Sequence, residues 1–392
     1  MALTTAFKSN NFCPLAIGAR LSLVFAMMFG LSANVLSHVS YIARPKFRIV
    51  AYVFGPLDIP AISARKLTHI NYAFAHVSKE GDIVLESPDA PTRLSQLQAL
   101  KLKNPALKLI VSVGGWGADN FSDAALTDAL REKFASSAVD LVKRYTLDGI
   151  DLDWEYPGQA GPGIKYRPED RENFTLMLKA VRRNLDALSD EGKRKGSERY
   201  TLSIASAAGE YFKHTEMDKL HVYLDWINIM TYDFHTSASK ITGHHTGLYR
   251  SLSAGDSTGY AEASVNQHLS AGIPPGKLVL GVAFYGRGFT GVNPENNGLY
   301  QAFQKYAGGY PYSTLASEYI NKQGFTRFWD DVAKAPYLWN SDTATFITYD
   351  DPESLKAKAD FVKSHHLGGI MYWEHSNDPS EQLLDVIFNR LR

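Results

Sequence analysis

The chain has 392 residues, 45% of them hydrophobic and 21% charged, which excludes a disordered or fibrous polymer and allows one large α/β domain or two ordinary ones. Its 41 Lys and Arg offset its 41 Asp and Glu, so no electrostatic footprint points to nucleic acid or an anionic membrane as a partner.

In chain order, the first signal is a leader. Lys8 and Arg20 precede the apolar run LSLVFAMMFGLSA, which ends near the small residues Ser32 and Ala33. That is the charged, apolar, small-residue order of a secretory signal peptide over residues 1–37, cleaved after Ala33 or after Ser37. The run is shorter than the roughly 20 residues a spanning helix needs, and no later segment is long and apolar enough to cross a bilayer. The expectation is an exported protein with no membrane contact after cleavage. Cys13, the only cysteine, lies inside the leader, so the mature protein cannot use disulfides and rests on its core.

Past residue 45, short apolar runs alternate with amphipathic stretches. The runs are RIVAYVFG from Arg48, HINYAFAHV from His69, LKLIVSVGGW from Leu107, GIDLDWEYP from Gly149, YTLSIASAAG from Tyr200, WINIMTYDF from Trp226, LVLGVAFYGRGF from Leu278 and GGIMYWEHS from Gly368. Helical patterns between them include DAALTDALREKFASSAVDLVKRY, PEDRENFTLMLKAVRRNLDAL and DDPESLKAKADFVKSHH, with EQLLDVIFNRLR closing the chain. Pro168 with its following acids, and Asp350-Asp351-Pro352-Glu353, read as helix starts. Repeated strand–helix alternation implies parallel strands with right-handed crossovers, closing into a (β/α)8 TIM barrel over 46–392. The spacing breaks once, after the seventh strand. About sixty residues rich in Tyr, Asn and Gly are too many for a structureless loop, and predict a small α+β insertion over 290–346 that raises one wall of a cleft.

Catalytic groups in such a barrel sit at the C-terminal ends of strands. The fourth strand ends DGIDLDWEYP, and side chains alternate faces along it. Ile150, Leu152 and Trp154 therefore face the helices, and Asp151, Asp153 and Glu155 face inward. Three inward acids repel one another unless protons are shared, so the stack titrates as a coupled unit. Glu155, outermost, is placed to give a proton to a substrate oxygen. A metal site or a satisfied buried network is the competing reading; a metal would recruit His or further carboxylates from other strand ends, and only Asp233 offers itself. The pairs His244-His245 and His365-His366 point their rings apart. No metal or other cofactor is expected.

DGIDLDWE matches the D-x-x-D-x-D-x-E signature of glycoside hydrolase family 18, the chitinases and their relatives. SVGGW (Ser112–Trp116) resembles the family's third-strand element, MTYD (Met230–Asp233) its sixth, FYGRGF around Tyr285 and Arg287 its seventh, and GGIMYWE, with Trp373, its eighth. GFTRFWDDVAKAPYLWN from Gly324 looks like the insertion domain of the bacterial-type subfamily. The resemblance implies retaining, substrate-assisted hydrolysis of chitin or chito-oligosaccharides. The sugar's own acetamido oxygen attacks the anomeric carbon and forms an oxazolinium ion. Glu155 acts as acid, then as base. Asp153 accepts the acetamido N–H, Asp151 supports Asp153, and Tyr232 bonds the acetamido group from the far side.

The same resemblance makes Trp373 the floor under the sugar and places Met230, Asp233, Tyr285 and Arg287 as substrate contacts. Trp116, after two glycines that let the chain turn sharply, reads as a platform on the leaving-group side, and Tyr156, directly after the acid, as a further substrate contact. Gly114 and Gly115 keep room for backbone approach. Tyr52 and Phe74, on the cleft side by alternation, read equally as substrate contacts or core. The abundant rings (21 Tyr, 20 Phe and 6 Trp) suit stacking on pyranose C–H faces. After MTYDFH this chain has Thr236-Ser237-Ala238 where the family often has Gly and an aromatic ring, which argues against a strong platform beyond the first leaving-group sugar. An endo-β-N-acetylglucosaminidase acting on N-glycans shares the chemistry, and a non-catalytic chitin-binding lectin shares the barrel, although such lectins typically lose the acid that Glu155 retains here. The expected enzyme is a monomer.

Overall fold

The computed structural model describes residues 46–254 and 259–392. The leader expected over 1–37, its two cleavage positions and Cys13 lie outside the described residues. Eight parallel strands form a closed ring: β1 (Arg48–Val53), β2 (His69–Val77), β3 (Lys108–Gly114), β4 (Gly149–Asp153), β5 (Thr201–Ser206), β6 (Trp226–Ile229), β7 (Leu278–Ala283) and β8 (Gly369–Trp373). β1 pairs with both β2 and β8, which closes the (β/α)8 TIM barrel. Nearly every strand residue is buried, as expected where one face meets helices and the other the barrel interior.

The longer helices are α1 (Ala90–Ala99), α2 (Asp128–Tyr145), α3 (Asp170–Glu191), α4 (Ala261–Ser270), α5 (Pro352–Ser364) and α6 (Gln382–Leu391). α3 shows why these segments coil and where they turn: Phe174, Met177, Leu178, Val181, Leu185 and Leu188 recur at helical spacing and are buried against the barrel. α5 starts as its sequence predicts. Asp351 Oδ1 accepts from the N–H groups of Glu353 and Ser354, Ser354 Oγ accepts from the Asp351 N–H, and Pro352 opens the first turn.

The alternation is less regular than the sequence suggests. Between β1 and β2 the chain makes only two short 3-10 turns, Ile59–Ala61 and Ala64–Lys66, and between β5 and β6 the α-helical piece is only Met217–Leu220. The predicted helix from residue 123 divides, because Thr127 takes an extended conformation and its Oγ1 accepts from the Leu130 N–H, starting a new helix there.

The run LVLGVAFYGRGF is two strands. β7 ends at Ala283, Phe284 stacks flat on Tyr372 (4.1 Å, 7°), and Tyr285–Thr290 leaves the barrel to join a second sheet. That five-stranded antiparallel sheet runs in the order Lys305–Pro311, Tyr285–Thr290, Thr345–Thr348, Ala335–Asn340, Thr326–Asp330. It has its own core of Phe289, Val292, Leu299, Tyr337, Trp339 and Phe346. The sheet therefore begins at Tyr285 and ends at Thr348, beyond the 290–346 read from spacing. Gly288 leaves room in this sheet for the Tyr310 ring of the neighbouring strand, since a Cβ there would lie 2.5 Å from it.

Candidate active site

At the end of β4 the alternation puts Ile150, Leu152 and Trp154 outward, with Trp154 stacked on Phe121 (5.2 Å, 12°) and edge-on to Phe174 (5.4 Å). The acids face the barrel axis. Asp151 is wholly buried. Its Oδ2 accepts from Tyr52 Oη and Ser112 Oγ, both at 2.7 Å. Its Oδ1 accepts from Ser203 Oγ at 2.6 Å and Asn228 Nδ2 at 3.2 Å. Register delivers two of these donors, because Ser112 and Ser203 stand opposite Asp151 in the flanking strands. Burial raises the Asp151 carboxyl above its ordinary range and the four donors pull it part of the way back.

Asp153 has no such cage. It is 4% exposed, and its Oδ1 has no hydrogen-bond partner among the described residues. Burial first, and then the charges of Glu155 and Asp151, push it well above the carboxylate range. Glu155, half-buried at the rim, is pushed up to about 7, chiefly by burial, with a Tyr156 hydrogen bond lowering it and the charge of Asp233 raising it. A carboxyl poised there is about half protonated at neutral pH and can both give and take the proton, the condition for a general acid that later acts as base.

Asp233 supplies the fixed charge. It takes a left-handed φ of 59°, a conformation Asp tolerates, at the turn after β6. Arg287 grips both its oxygens, Nε to Oδ1 at 2.7 Å and Nη2 to Oδ2 at 2.5 Å, and His245 Nδ1 lies 3.5 Å from Oδ1. Burial alone would raise Asp233, but His245 and Arg287 hold it well below the usual carboxylate range. Arg287 also donates from Nη1 to Tyr306 Oη at 2.8 Å and lies 4.8 Å above the Tyr285 ring.

This inward carboxylate stack, on a closed barrel with an α+β sheet after its seventh strand, meets the comparison with known proteins directly. The family model described as glycosyl hydrolases family 18 matches residues 43–378. The chain belongs to glycosyl hydrolases family 18. Among the relatives of this family 18 chain, Chitinase A1 of Niallia circulans is 40% identical over 408 residues, covering 87% of this chain and 58% of its own length. The chain thus spans a little over half of that relative. Chitinase B of Serratia marcescens is 31% identical over 393 residues, covering 83% of this chain and 76% of its own length. Among solved structures, a family 18 N-acetylglucosaminidase from Paenibacillus barengoltzii is similar with a TM-score of 0.81 and 42% identity, covering 88% of this chain and 99% of that one.

The other residues singled out in this family 18 chain divide between rim and interior. Trp373 ends β8 half-buried, stacked on Phe74 (5.6 Å, 20°) and flanked by Tyr52 (5.7 Å) and Phe54 (5.6 Å). Trp116 is 68% exposed and meets Tyr156 edge-on at 6.2 Å. Tyr232 Oη lies 3.8 Å from Met371 Sδ, and its ring meets buried Tyr285 edge-on at 6.2 Å. Met230 is half-buried against the inner apolar cluster. Gly114 and Gly115 have φ of 122° and 94°; a Cβ on Gly114 would strike the Asp153 carbonyl at 2.0 Å, and one on Gly115 the Phe74 ring at 2.7 Å. Tyr52 is 1% exposed and its hydroxyl is spent on Asp151, which places it in the support of the acids and out of reach of a sugar.

Sequence reasoning missed Phe54, 47% exposed beside Trp373, and the donors Ser112, Ser203 and Asn228. Two-residue alternation could have found the last three, because each lies an even number of steps from an inward neighbour. The two adjacent-histidine pairs point to separate partners, His245 to Asp233 as above. His244 Nε2 lies 3.1 Å from Asp330, and His365 Nδ1 lies 3.0 Å from the Phe361 carbonyl. Among the described residues no group of three or more His, Cys, Asp and Glu side chains is arranged to hold a metal ion.

Proposed function

We propose that the chain is a chitinase that hydrolyses β-1,4 links between N-acetylglucosamine units with retention, through an oxazolinium intermediate. The observation that carries this reading is the stack at the end of β4, with a caged Asp151, an uncaged Asp153 and a Glu155 held near pH 7. Its relatives named chitinases, at 40% and 31% identity, support the same substrate.

In this mechanism the Glu155 proton passes to the glycosidic oxygen as the bond to the anomeric carbon breaks. The acetamido oxygen of the same sugar forms the new bond to that carbon, so no second carboxylate is needed at nucleophile distance. The free Oδ1 of Asp153 accepts the acetamido N–H and so orients the acetamido oxygen toward the anomeric carbon. Tyr232 donates to the acetamido oxygen from the opposite wall. Glu155, now ionised, takes a proton from water, whose oxygen opens the oxazolinium ring and restores the configuration. Trp373 and Phe74 carry the distorted sugar, Trp116 and Tyr156 the leaving group, and the five-stranded sheet raises one wall of the groove. The leader supports export with cleavage after Ala33 or Ser37, and the enzyme acts as a monomer; N-terminal sequencing and sedimentation of the secreted protein check both.

Glu155→Gln is expected to abolish turnover of N-acetylglucosamine oligomers while calorimetry still finds them bound, and deacetylated oligomers are expected to resist the native enzyme. Normal turnover by the variant would remove Glu155 from the role of acid. A product time course on labelled oligomers, run beside a high-mannose glycoprotein, separates chitinase action from release of N-glycans and from removal of single terminal sugars.

A further inference from the structure

Asp170 is a buried carboxylate that the steps above do not use. It is the first residue of α3 and is 0% exposed. Its Oδ2 accepts from the backbone N–H of Arg167 at 2.7 Å and of Gly158 at 3.2 Å, and its Oδ1 accepts from Ser122 Oγ at 2.7 Å. An acid in the first turn of a long helix is favoured by the helix dipole, and the Arg167 bond closes its own turn. The reach to Gly158 and Ser122 serves something else.

Gly158 ends the turn Glu155-Tyr156-Pro157-Gly158, three residues beyond the proposed acid. It has φ of 63°, and a Cβ there would press on the His214 ring at 3.0 Å. Ser122 lies in the short helix Phe121–Ala124 that closes the loop bearing Trp116. The two loops are tied again nearby. Arg167 Nη1 donates to Ser122 Oγ at 2.7 Å, the Lys165 N–H donates to Asp119 Oδ1 at 2.8 Å, and Asp123 pairs with Lys165 at 2.7 Å and with Arg167 at 2.5 Å. Asp170 and Ser122 are the fully buried members of this set, and Asp170 holds both Ser122 in the one loop and the Gly158 N–H in the other.

We propose that Asp170 is a positioning residue for the proton donor: by holding the Gly158 N–H it fixes the turn that aims Glu155, and through Ser122 it sets that turn against the loop carrying Trp116. The proposal rests on the reading of Glu155 as the acid. The bonds to Gly158 and Arg167 are charge-assisted and buried, so their loss frees the turn while the barrel strands stay paired.

The test compares Asp170→Ala, Asp170→Asn and Glu155→Gln, with kcat and KM on a chito-oligosaccharide and active sites counted by binding stoichiometry. A displacement of about 1 Å at a reacting group costs about 100-fold, so Asp170→Ala is expected to lower kcat per active site about 100-fold with KM changed less than about threefold. Asp170→Asn keeps one oxygen for the two amides and is expected to recover to about three- to tenfold below the native kcat. Native kcat per active site in Asp170→Ala, with Glu155→Gln inactive, overturns the proposal. An active Glu155→Gln overturns the assignment of the acid instead. Should Asp170→Ala fail to fold, Asp170→Asn decides: lowered kcat at unchanged KM supports the positioning role, and native constants overturn it.

Discussion

Neutralising Asp233 tests the electrostatic design of the site. Glu155 stands at about 7 against an ordinary 4.5, raised first by burial and further by the Asp233 charge. Asp233→Asn removes the second contribution and leaves the first, so Glu155 is expected to fall but to stay above 4.5. Through an effective dielectric of about 20 a neighbouring unit charge is worth on the order of 1 kcal/mol, or roughly one pH unit. The sign is fixed by the role. A general acid works while protonated, so activity is lost as pH rises through its pKa, and the alkaline limb of kcat is expected to move from around pH 7 to around pH 6. Well above both values, with each profile normalised to its own acid-side activity, the variant is expected to be about tenfold less active than the native enzyme at the same pH. The assay is kcat against pH on a soluble N-acetylglucosamine oligomer. The shape of the profile is the readout, because the substitution also alters the grip of Arg287 and the height can change for that reason alone. An alkaline limb that stays in place or moves upward refutes the coupling between Asp233 and Glu155.

Three further outcomes follow from geometry. Lys358 and Asp350 form an ion pair at 2.6 Å with both side chains fully buried, so Lys358→Met is expected to cost about 3–5 kcal/mol in denaturant unfolding, and a loss below about 1 kcal/mol would refute it. Trp116→Ala is expected to raise KM about tenfold for oligomers that extend past the cleavage point and to leave shorter ones nearly unchanged; equal changes for both would refute the platform role. Gly115→Ala drives a Cβ to 2.7 Å from the Phe74 ring that underlies Trp373, and is expected to lower kcat/KM about tenfold, checked on the same oligomers.

The barrel was legible because parallel strands buried on both faces read as short apolar runs, and the acids were legible because they fall two residues apart within one of those runs. What stayed hidden depended on partners far along the chain. Tyr52 looked like a cleft residue by alternation, but its hydroxyl meets Asp151, 99 positions away, and only the closed ring brings the two together. The run from Leu278 stays apolar through Tyr285 and meets Gly286, Arg287 and Gly288 only afterwards, so nothing in its pattern marks the exit at Phe284, where the chain stacks on Tyr372. The missing helix between β1 and β2 is a matter of length: the short stretch from Phe54 to Thr68 contains Pro56 and Pro60 and has room only for 3-10 turns. Asp170 read as one of several acids at a helix start, and nothing local distinguishes it from Glu169.

The four groups around Asp151 come from β1, β3, β5 and β6, half of the staves of the barrel, and they converge on one carboxylate at its axis. Closing the barrel and assembling the reactive centre are therefore a single event, and neither can be adjusted without the other. Variation that changes what the protein accepts is free to act at the rim, on side chains such as Phe54, Trp116 and the Thr236–Ala238 turn, whereas a change at the axis must be answered from several strands at once.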